Sequence, residues 1–218
     1  MKITIAVPGH DSVPFQFAYH LAQMCAFTAG FMPEGTTFGV LGVTGTYTHS
    51  ARKQLMELAV ADPELDYMLW LDSDMTFPKE SLVLLMQHQL PMVGINYSTC
   101  EVGGHPVATK QIGPPGIYLA TDDDSEGLEE VEGIGFGMVL LRMRDFRALA
   151  DIPQPWFHQE WREEDQNWTG EDIYFSKLVR EQLGHRVFVD HDLSKECGHV
   201  GQMTYRLQHL AAMQEAGV

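Results

Sequence analysis

The run Tyr67-Met68-Leu69-Trp70-Leu71 leads directly into Asp72-Ser73-Asp74. Five consecutive apolar residues, with no polar residue alternating between them, suit a β-strand covered on both faces, as in the interior of a parallel sheet. Two acids at the end of such a strand lie where open α/β sheets bind ligands, just beyond the carboxyl ends of the strands. This stretch decides both the fold class and the place to look for chemistry.

On its amino-terminal side, Lys2 to Val7 is rich in β-formers and stops at Pro8-Gly9-His10-Asp11. A helical pattern follows, with Ser12 or Asp11 as cap, Pro14 near the first turn and apolar residues from Phe17 to Phe27. Thr36 to Val43 reads as a second strand, and Ser50 caps a second helix through Leu55 and Ala59. On its carboxyl side, Pro78 opens a helix over Glu80 to His88, and Pro91 to Ile95 forms a further strand. Alternating strands and helices predict an α/β fold with a mainly parallel central sheet and helices on both faces.

The second half is less regular. Val107 to Lys110 and Gly116 to Ala120 are expected as short strands around Gly113-Pro114-Pro115. The acidic run Thr121 to Glu132 reads as a solvated loop, Gly133 to Leu141 as a strand and Asp145 to Ala150 as a short helix. Pro153 to Trp168 reads as a long loop, Glu171 to Leu183 as a helix, Arg186 to Val189 as a strand and Met203 to Ala216 as a terminal helix. There is no internal repeat and no linker. The expectation is one domain over 1–218, with 1–100 as one functional half and 101–218 as the other.

Composition narrows the function. The 218 residues carry 14 Lys+Arg against 30 Asp+Glu, a formal net charge of −16. Proteins that hold nucleic acid by neutralising phosphates carry a basic excess or patch, so a nucleic-acid coating role is disfavoured. No apolar run approaches the roughly 18 residues that span a bilayer, so no stable membrane insertion is expected. Cys25, Cys100 and Cys197 are odd in number and scattered. They form neither a metal-binding spacing nor a disulfide framework, which points to a reducing, cytoplasmic setting.

Asp72 and Asp74 can turn toward one point if the chain bends sharply after Leu71. Carboxylates that close repel unless they share a cation, and their oxygens suit a hard ion such as Mg²⁺ or Mn²⁺. Such an ion would neutralise charge on a departing diphosphate. The plainer alternative is that both acids cap the helix that starts near Pro78.

Four segments together resemble a glycosyltransferase of the GT-A fold, the nucleotide-sugar-dependent type. They are the opening strand and loop Ile3 to Asp11; Ser50-Ala51-Arg52-Lys53, with Lys53 where the family commonly has Asn; Leu69 to Met75 with its Asp-x-Asp; and Gly170-Glu171-Asp172-Ile173-Tyr174-Phe175, then Gly184-His185 and Cys197-Gly198-His199-Val200-Gly201. The resemblance implies a Rossmann-like three-layer sandwich. It implies that 1–100 binds the nucleotide-sugar and that 101–218 supplies the acceptor side and a C-terminal helix.

By the same resemblance, Asp74 is the first choice as metal ligand. Asp72 meets the ribose or the metal, and His199 completes the shell, with His191 as its rival. The ion would be Mn²⁺ or Mg²⁺. Asp172, with Glu171 beside it at the helix start, is the candidate base of an inverting transfer to an acceptor hydroxyl; both acids could instead simply complement the helix dipole. Pro8, Gly9, His10, Asp11, Thr44 and Ser73 fall on the nucleotide-sugar side, where ordinary strand-to-helix turns offer the alternative reading.

Arg52 in the first turn of a helix opposes the dipole. A diphosphate clamp or a salt bridge to an acid would each account for it. Gly135, within Gly133-Ile134-Gly135-Phe136-Gly137, has the wrong spacing for a dinucleotide fingerprint. It resembles the family's glycine-rich strand beside the donor sugar. Trp156, Phe157, Trp161 and Trp168 suit stacking on a sugar or base or pinning of a loop, and pinning is the preferred reading for Trp168.

The expected partners are a nucleotide-diphosphate sugar and a hydroxyl acceptor: a saccharide, a small molecule, a protein or a modified DNA base. The competing readings are a metal-dependent nucleotidyltransferase or phosphohydrolase, and a catalytically silent nucleotide-sugar-binding module.

Overall fold

The computed structural model describes residues 1–9, 12–45, 47–100, 104–114 and 116–201. The expectations for His10, Asp11 and the helix over Met203 to Ala216 lie outside them.

The first half runs β1 (Lys2–Gly9), α1 (Phe15–Phe31), β2 (Thr37–Thr44), α2 (Thr48–Ala61), β3 (Tyr67–Leu71), β4 (Met75–Thr76), α3 (Ser81–Gln87) and β5 (Met92–Gly94). The second half runs β6 (Thr109–Gln111), β7 (Ile117–Tyr118), β8 (Leu128–Val131), β9 (Met138–Arg142), a 3-10 segment (Met143–Asp151), β10 (Glu160–Arg162), β11 (Asn167–Thr169), α4 (Glu171–Glu181), β12 (Val187–Asp190), α5 (His191–Lys195) and β13 (Gly198–His199).

Seven strands form one sheet in the order β2-β1-β3-β9-β5-β12-β8. β1, β2, β3, β5 and β12 run one way, and β9 and β8 run against them. The sheet is therefore mainly parallel, as the alternation of elements predicted. β3 lies inside it, between β1 and β9. Its residues alternate between the two cores. Met68 and Trp70 pack with α2, the 3-10 segment and α4 through Leu55, Met56, Phe146 and Phe175. Leu69 and Leu71 pack with α1 and α3 through Phe17, Met24, Leu82 and Leu85. Helical layers on both faces of a sheet make a three-layer sandwich.

Three expectations change. The acidic stretch contains a strand: β8 pairs antiparallel with β12, and as an edge strand it carries charges that discourage further pairing. Two of them are matched locally, Glu129 to Lys110 at 2.6 Å and Glu130 to Arg186 at 3.2 Å. The stretch Gly133 to Gly137 is not strand. Its amides go elsewhere, Gly133 to the Thr109 carbonyl, Ile134 to Ser176 Oγ and Gly137 to the Tyr97 hydroxyl, so the ladder begins only at Met138. The long loop contains the β10–β11 hairpin, in which Trp161 faces Trp168 across the strands.

Candidate active site at the sheet's carboxyl edge

β1 and β3 run side by side to the sheet's carboxyl edge, and the chain turns immediately after β3. After β3 the turn is fixed from two sides: the Asp72 amide donates to the Gly137 carbonyl at 3.0 Å and the Met75 amide to the Asp72 carbonyl at 3.3 Å. This bend exposes Asp72, Ser73 and Asp74 to a cleft whose other wall is Pro8, Gly9, Gly45 and Thr48. Thr44 is exposed at the end of β2, opposite Gly9 in the β1–β2 register.

His199 reaches this cleft through a ladder the sequence did not reveal. β13 pairs antiparallel with β4, setting His199 opposite Met75, and the Val200 amide donates to the Asp74 carbonyl at 2.8 Å. The approach is close enough that a Cβ on Gly198 would lie 2.7 Å from Thr76 Oγ1. His199 Nδ1 donates to the Ser98 carbonyl at 3.0 Å, which leaves Nε2 facing Asp74 Oδ2 at 3.3 Å. Tyr97 braces the ring edge-on at 5.2 Å. The Asp74 carboxylate raises the imidazole's pKa, with burial pulling the other way. His191 is elsewhere: it is buried against Thr121 and Glu129.

The two acids of Asp72-Ser73-Asp74 differ in environment. Both Asp72 oxygens accept from Arg52 Nη2 at 3.0 Å. Burial pushes the Asp72 carboxyl up and Arg52 opposes it. Asp74, 44% exposed, has His199 as its charge partner. Asp72 is therefore engaged in the ion pair, and Asp74 and His199 are the pair left facing the cleft. Among the described residues, no group of three or more His, Cys, Asp or Glu side chains is placed to hold a metal ion. The Asp74–His199 pair nevertheless suits one. Two lone-pair atoms 3.3 Å apart need a proton or a cation between them, and a histidine whose other nitrogen donates to a backbone carbonyl has the tautomer that metals take. Ligand oxygens and water would complete the shell.

Of the two expected roles for Arg52, a diphosphate clamp or a salt bridge, the structure shows the salt bridge. Arg52 is 3% exposed. It joins Asp72 to Glu171, with Nη1 3.1 Å from Glu171 Oε1, and its guanidinium lies over the Phe136 ring at 5.1 Å. Burial alone would lower its pKa. Asp72, Asp172 and Glu171 outweigh that and hold it above the ordinary value, so it stays charged. The position early in α2 is explained by these acids.

Glu171 and Asp172 open α4, as expected, but divide the work. Glu171 is spent on Arg52. Asp172 accepts from its own helix at the Ile173 amide, 2.8 Å, and lines a second cleft with Trp168, Thr109 and Tyr118. Burial pushes its carboxyl up to about 6. Arg52 pulls it back, and Glu171 and Asp72 add to the rise. A carboxyl poised near neutrality suits a general base. Its seat depends on Gly170, where a Cβ would come 2.7 Å from Asp172 Oδ1. Gly170→Ala is expected to displace that carboxylate and cut turnover by roughly tenfold or more, the scale of a misplaced catalytic group. Steady-state kinetics beside an unchanged melting curve would show it, and wild-type turnover would contradict it.

Gly135 also departs from expectation. The space its missing side chain leaves is filled by Val107 and the Tyr97 hydroxyl, which would lie 2.8 and 2.9 Å from a Cβ. It accommodates protein packing and is not among the residues that line the cleft. Trp156 and Phe157 are core residues, 4% and 3% exposed, whereas Trp168, expected to pin the loop, is 59% exposed. Tyr97 was missed. Its signal was its place just beyond β5, at the same carboxyl edge that drew attention to Asp72.

No family model matches the chain, and no curated protein sequence does. Solved structures do. A197 from STIV superposes with a TM-score of 0.55 at 13% identity, covering 95% of this chain and 98% of that one. GalNAc-T7, solved with UDP, GalNAc and Mn²⁺, superposes with a TM-score of 0.52 at 10% identity. The match covers 95% of this chain but 44% of GalNAc-T7, so the chain spans less than half of that protein's length. The architecture is the GT-A glycosyltransferase fold. No helix among the described residues is long and apolar enough to cross a membrane.

Proposed function

We propose that the chain is a metal-dependent glycosyltransferase, moving a sugar from a nucleotide-diphosphate donor to an acceptor hydroxyl by direct displacement. The observation that carries this reading is the bridge Asp72–Arg52–Glu171, which runs from the cleft wall that also holds Asp74 and His199 to the helix start where Asp172 follows Glu171. It links a polar cleft at the ends of β1 and β3 to a base-like carboxyl that opens on a second cleft. The donor binds against Pro8, Gly9, Thr44 and Ser73, and the acceptor approaches Asp172. The first half thus serves the donor and the second the acceptor.

Asp74 and His199 would hold Mn²⁺ or Mg²⁺, whose contribution when bound is to offset charge on the leaving diphosphate. GalNAc-T7 with its UDP and Mn²⁺ supports that choice by likeness of fold. Arg52 fixes Asp72 and Glu171 and keeps the floor between the clefts rigid. Asp172 takes the proton from the acceptor hydroxyl as its oxygen attacks the anomeric carbon. No covalent intermediate on the protein is required.

The test is incubation of the purified protein with nucleotide sugars, saccharide acceptors and Mn²⁺. Release of nucleoside diphosphate supports transfer. Release of pyrophosphate or monophosphate would indicate nucleotidyl transfer or phosphate hydrolysis instead, and binding without turnover would indicate a silent module.

A further inference from the structure

The second cleft has a chemical character of its own. It encloses about 380 Å³, within the roughly 300–1,000 Å³ of small-molecule sites. Two of its side chains present flat aromatic surface to solvent, Trp168 at 59% and Tyr118 at 51% exposure. Both are held in place. Trp168 faces Trp161 across the β10–β11 hairpin, with the rings edge-on at 5.3 Å. Tyr118 stacks on His105 at 4.4 Å. An exposed tryptophan fixed by a neighbouring ring keeps a free apolar face beside water.

Beside the apolar Val107, Ile112 and Ile173, the lining carries uncharged polar side chains, Thr99, Thr109, Gln111 and Asn167. These side chains suit hydroxyl groups. Arg162 is the one Lys or Arg among the described lining residues. It is already spent, on Asp165 through two bonds of 3.0 and 2.7 Å and on Thr169 at 3.0 Å. A phosphate-bearing acceptor would find no free Lys or Arg among the described lining residues, and a nucleic acid would also meet a chain of net charge −16. Flat apolar faces edged by neutral donors and acceptors match a sugar ring, which has a C–H face and a rim of hydroxyls.

We propose that this cleft is the acceptor subsite for an uncharged saccharide, with a pyranose face stacked on Trp168 and a hydroxyl directed at Asp172. The word acceptor rests on the transferase reading above; the saccharide and its seat on Trp168 do not.

The experiment keeps the two apart. Saturation-transfer NMR and titration calorimetry are run on the full chain with cellobiose, maltose, lactose and N,N′-diacetylchitobiose, and with glucose 6-phosphate and uridine diphosphate as controls. At least one neutral disaccharide is expected to bind without donor or metal and to bind better than the phosphorylated sugar. Trp168→Ala is expected to weaken it roughly tenfold, Trp168→Phe much less, with melting temperature and uridine diphosphate binding unchanged. Failure of every neutral disaccharide to bind would overturn the proposal. So would binding indifferent to Trp168→Ala, preference for the phosphorylated sugar, or loss of nucleotide binding in that variant. Trp168-dependent saccharide binding in a protein that releases no nucleoside diphosphate would leave the saccharide site standing and remove the transferase reading. Diphosphate release without saccharide binding would do the reverse.

Discussion

Asp172→Asn is expected to leave nucleotide binding intact and to reduce turnover by about 10²–10⁴, the contribution of a positioned general base. The amide keeps the shape of the carboxylate and its bond from the Ile173 amide but cannot take a proton. A pH profile makes the test specific. The base must be ionised to act, and burial places its pKa at about 6. Wild-type turnover should therefore climb about tenfold per pH unit below that value and level off above it, and the variant should lose this limb.

Stability should move in the opposite direction to activity. A carboxyl whose folded pKa is raised supports the fold fully below its unfolded value of 3.8, and that support is lost as pH rises through about 6. At pH 8 the wild type bears the cost of a buried charge that the neutral amide does not carry, so Asp172→Asn should melt higher there and converge with wild type near pH 4. Turnover within tenfold of wild type, with the same pH limb, would remove Asp172 from the mechanism.

Arg52→Met should produce the largest loss of stability. Methionine fills much of the same volume against Phe136 but leaves Asp72 and Glu171 as close carboxylates without their shared cation. Breaking a buried ion pair from one side costs about 3–5 kcal/mol. For a domain of this size that lowers the melting temperature by roughly 10 °C. The deficit should narrow toward acid pH. Arg52 is what opposes the upward push of burial on Asp72; without the guanidinium that carboxyl binds its proton more tightly in the fold, so protonation relieves the variant more than the wild type. Denaturant midpoints at pH 8 and pH 4.5 would measure both effects. A variant within about 1 kcal/mol of wild type at pH 8 would show that the arginine is solvated and that the Asp72–Arg52–Glu171 bridge does not organise the site.

Much of this arrangement was legible in the chain because local chemistry and burial agreed. Tyr67 to Leu71 begins and ends where the strand does, since an uninterrupted apolar run has few alternatives once helices cover both faces. Gly170-Glu171-Asp172 begins a helix where two acids meet the dipole's positive end. Long-range pairing was less visible. Nothing near Gly198 announces a two-residue ladder with Met75-Thr76, so His191 stayed a rival to His199 until the ladder joined His199 to Asp74.

Arg52 shows the limit from the other side. The sequence signalled that something must compensate a cation early in α2, but choosing between a ligand's phosphates and the protein's own carboxylates required knowing that β3 and α4 converge on it. Gly133 to Gly137 misled because glycines in an apolar stretch fit both a strand and a close-packed turn. Tyr97 and Val107, distant in sequence, decide the matter by filling the space. The aromatic loop reversed in the same way, because which tryptophan is buried depends on hairpin pairing across Trp161 and Trp168.

The central claim is that the cleft at the ends of β1 and β3 takes a nucleoside diphosphate together with a divalent ion on Asp74 and His199. Titration calorimetry of uridine, guanosine, adenosine and cytidine diphosphates, each with and without Mn²⁺, tests it most directly in the wild type and in Asp74→Asn. The account predicts that one diphosphate binds wild type at least tenfold more tightly with Mn²⁺ than without, about 1.4 kcal/mol, and that Asp74→Asn abolishes this gain while its melting curve stays near that of wild type. Binding of no diphosphate, or a Mn²⁺ effect that survives unchanged in Asp74→Asn, would contradict it.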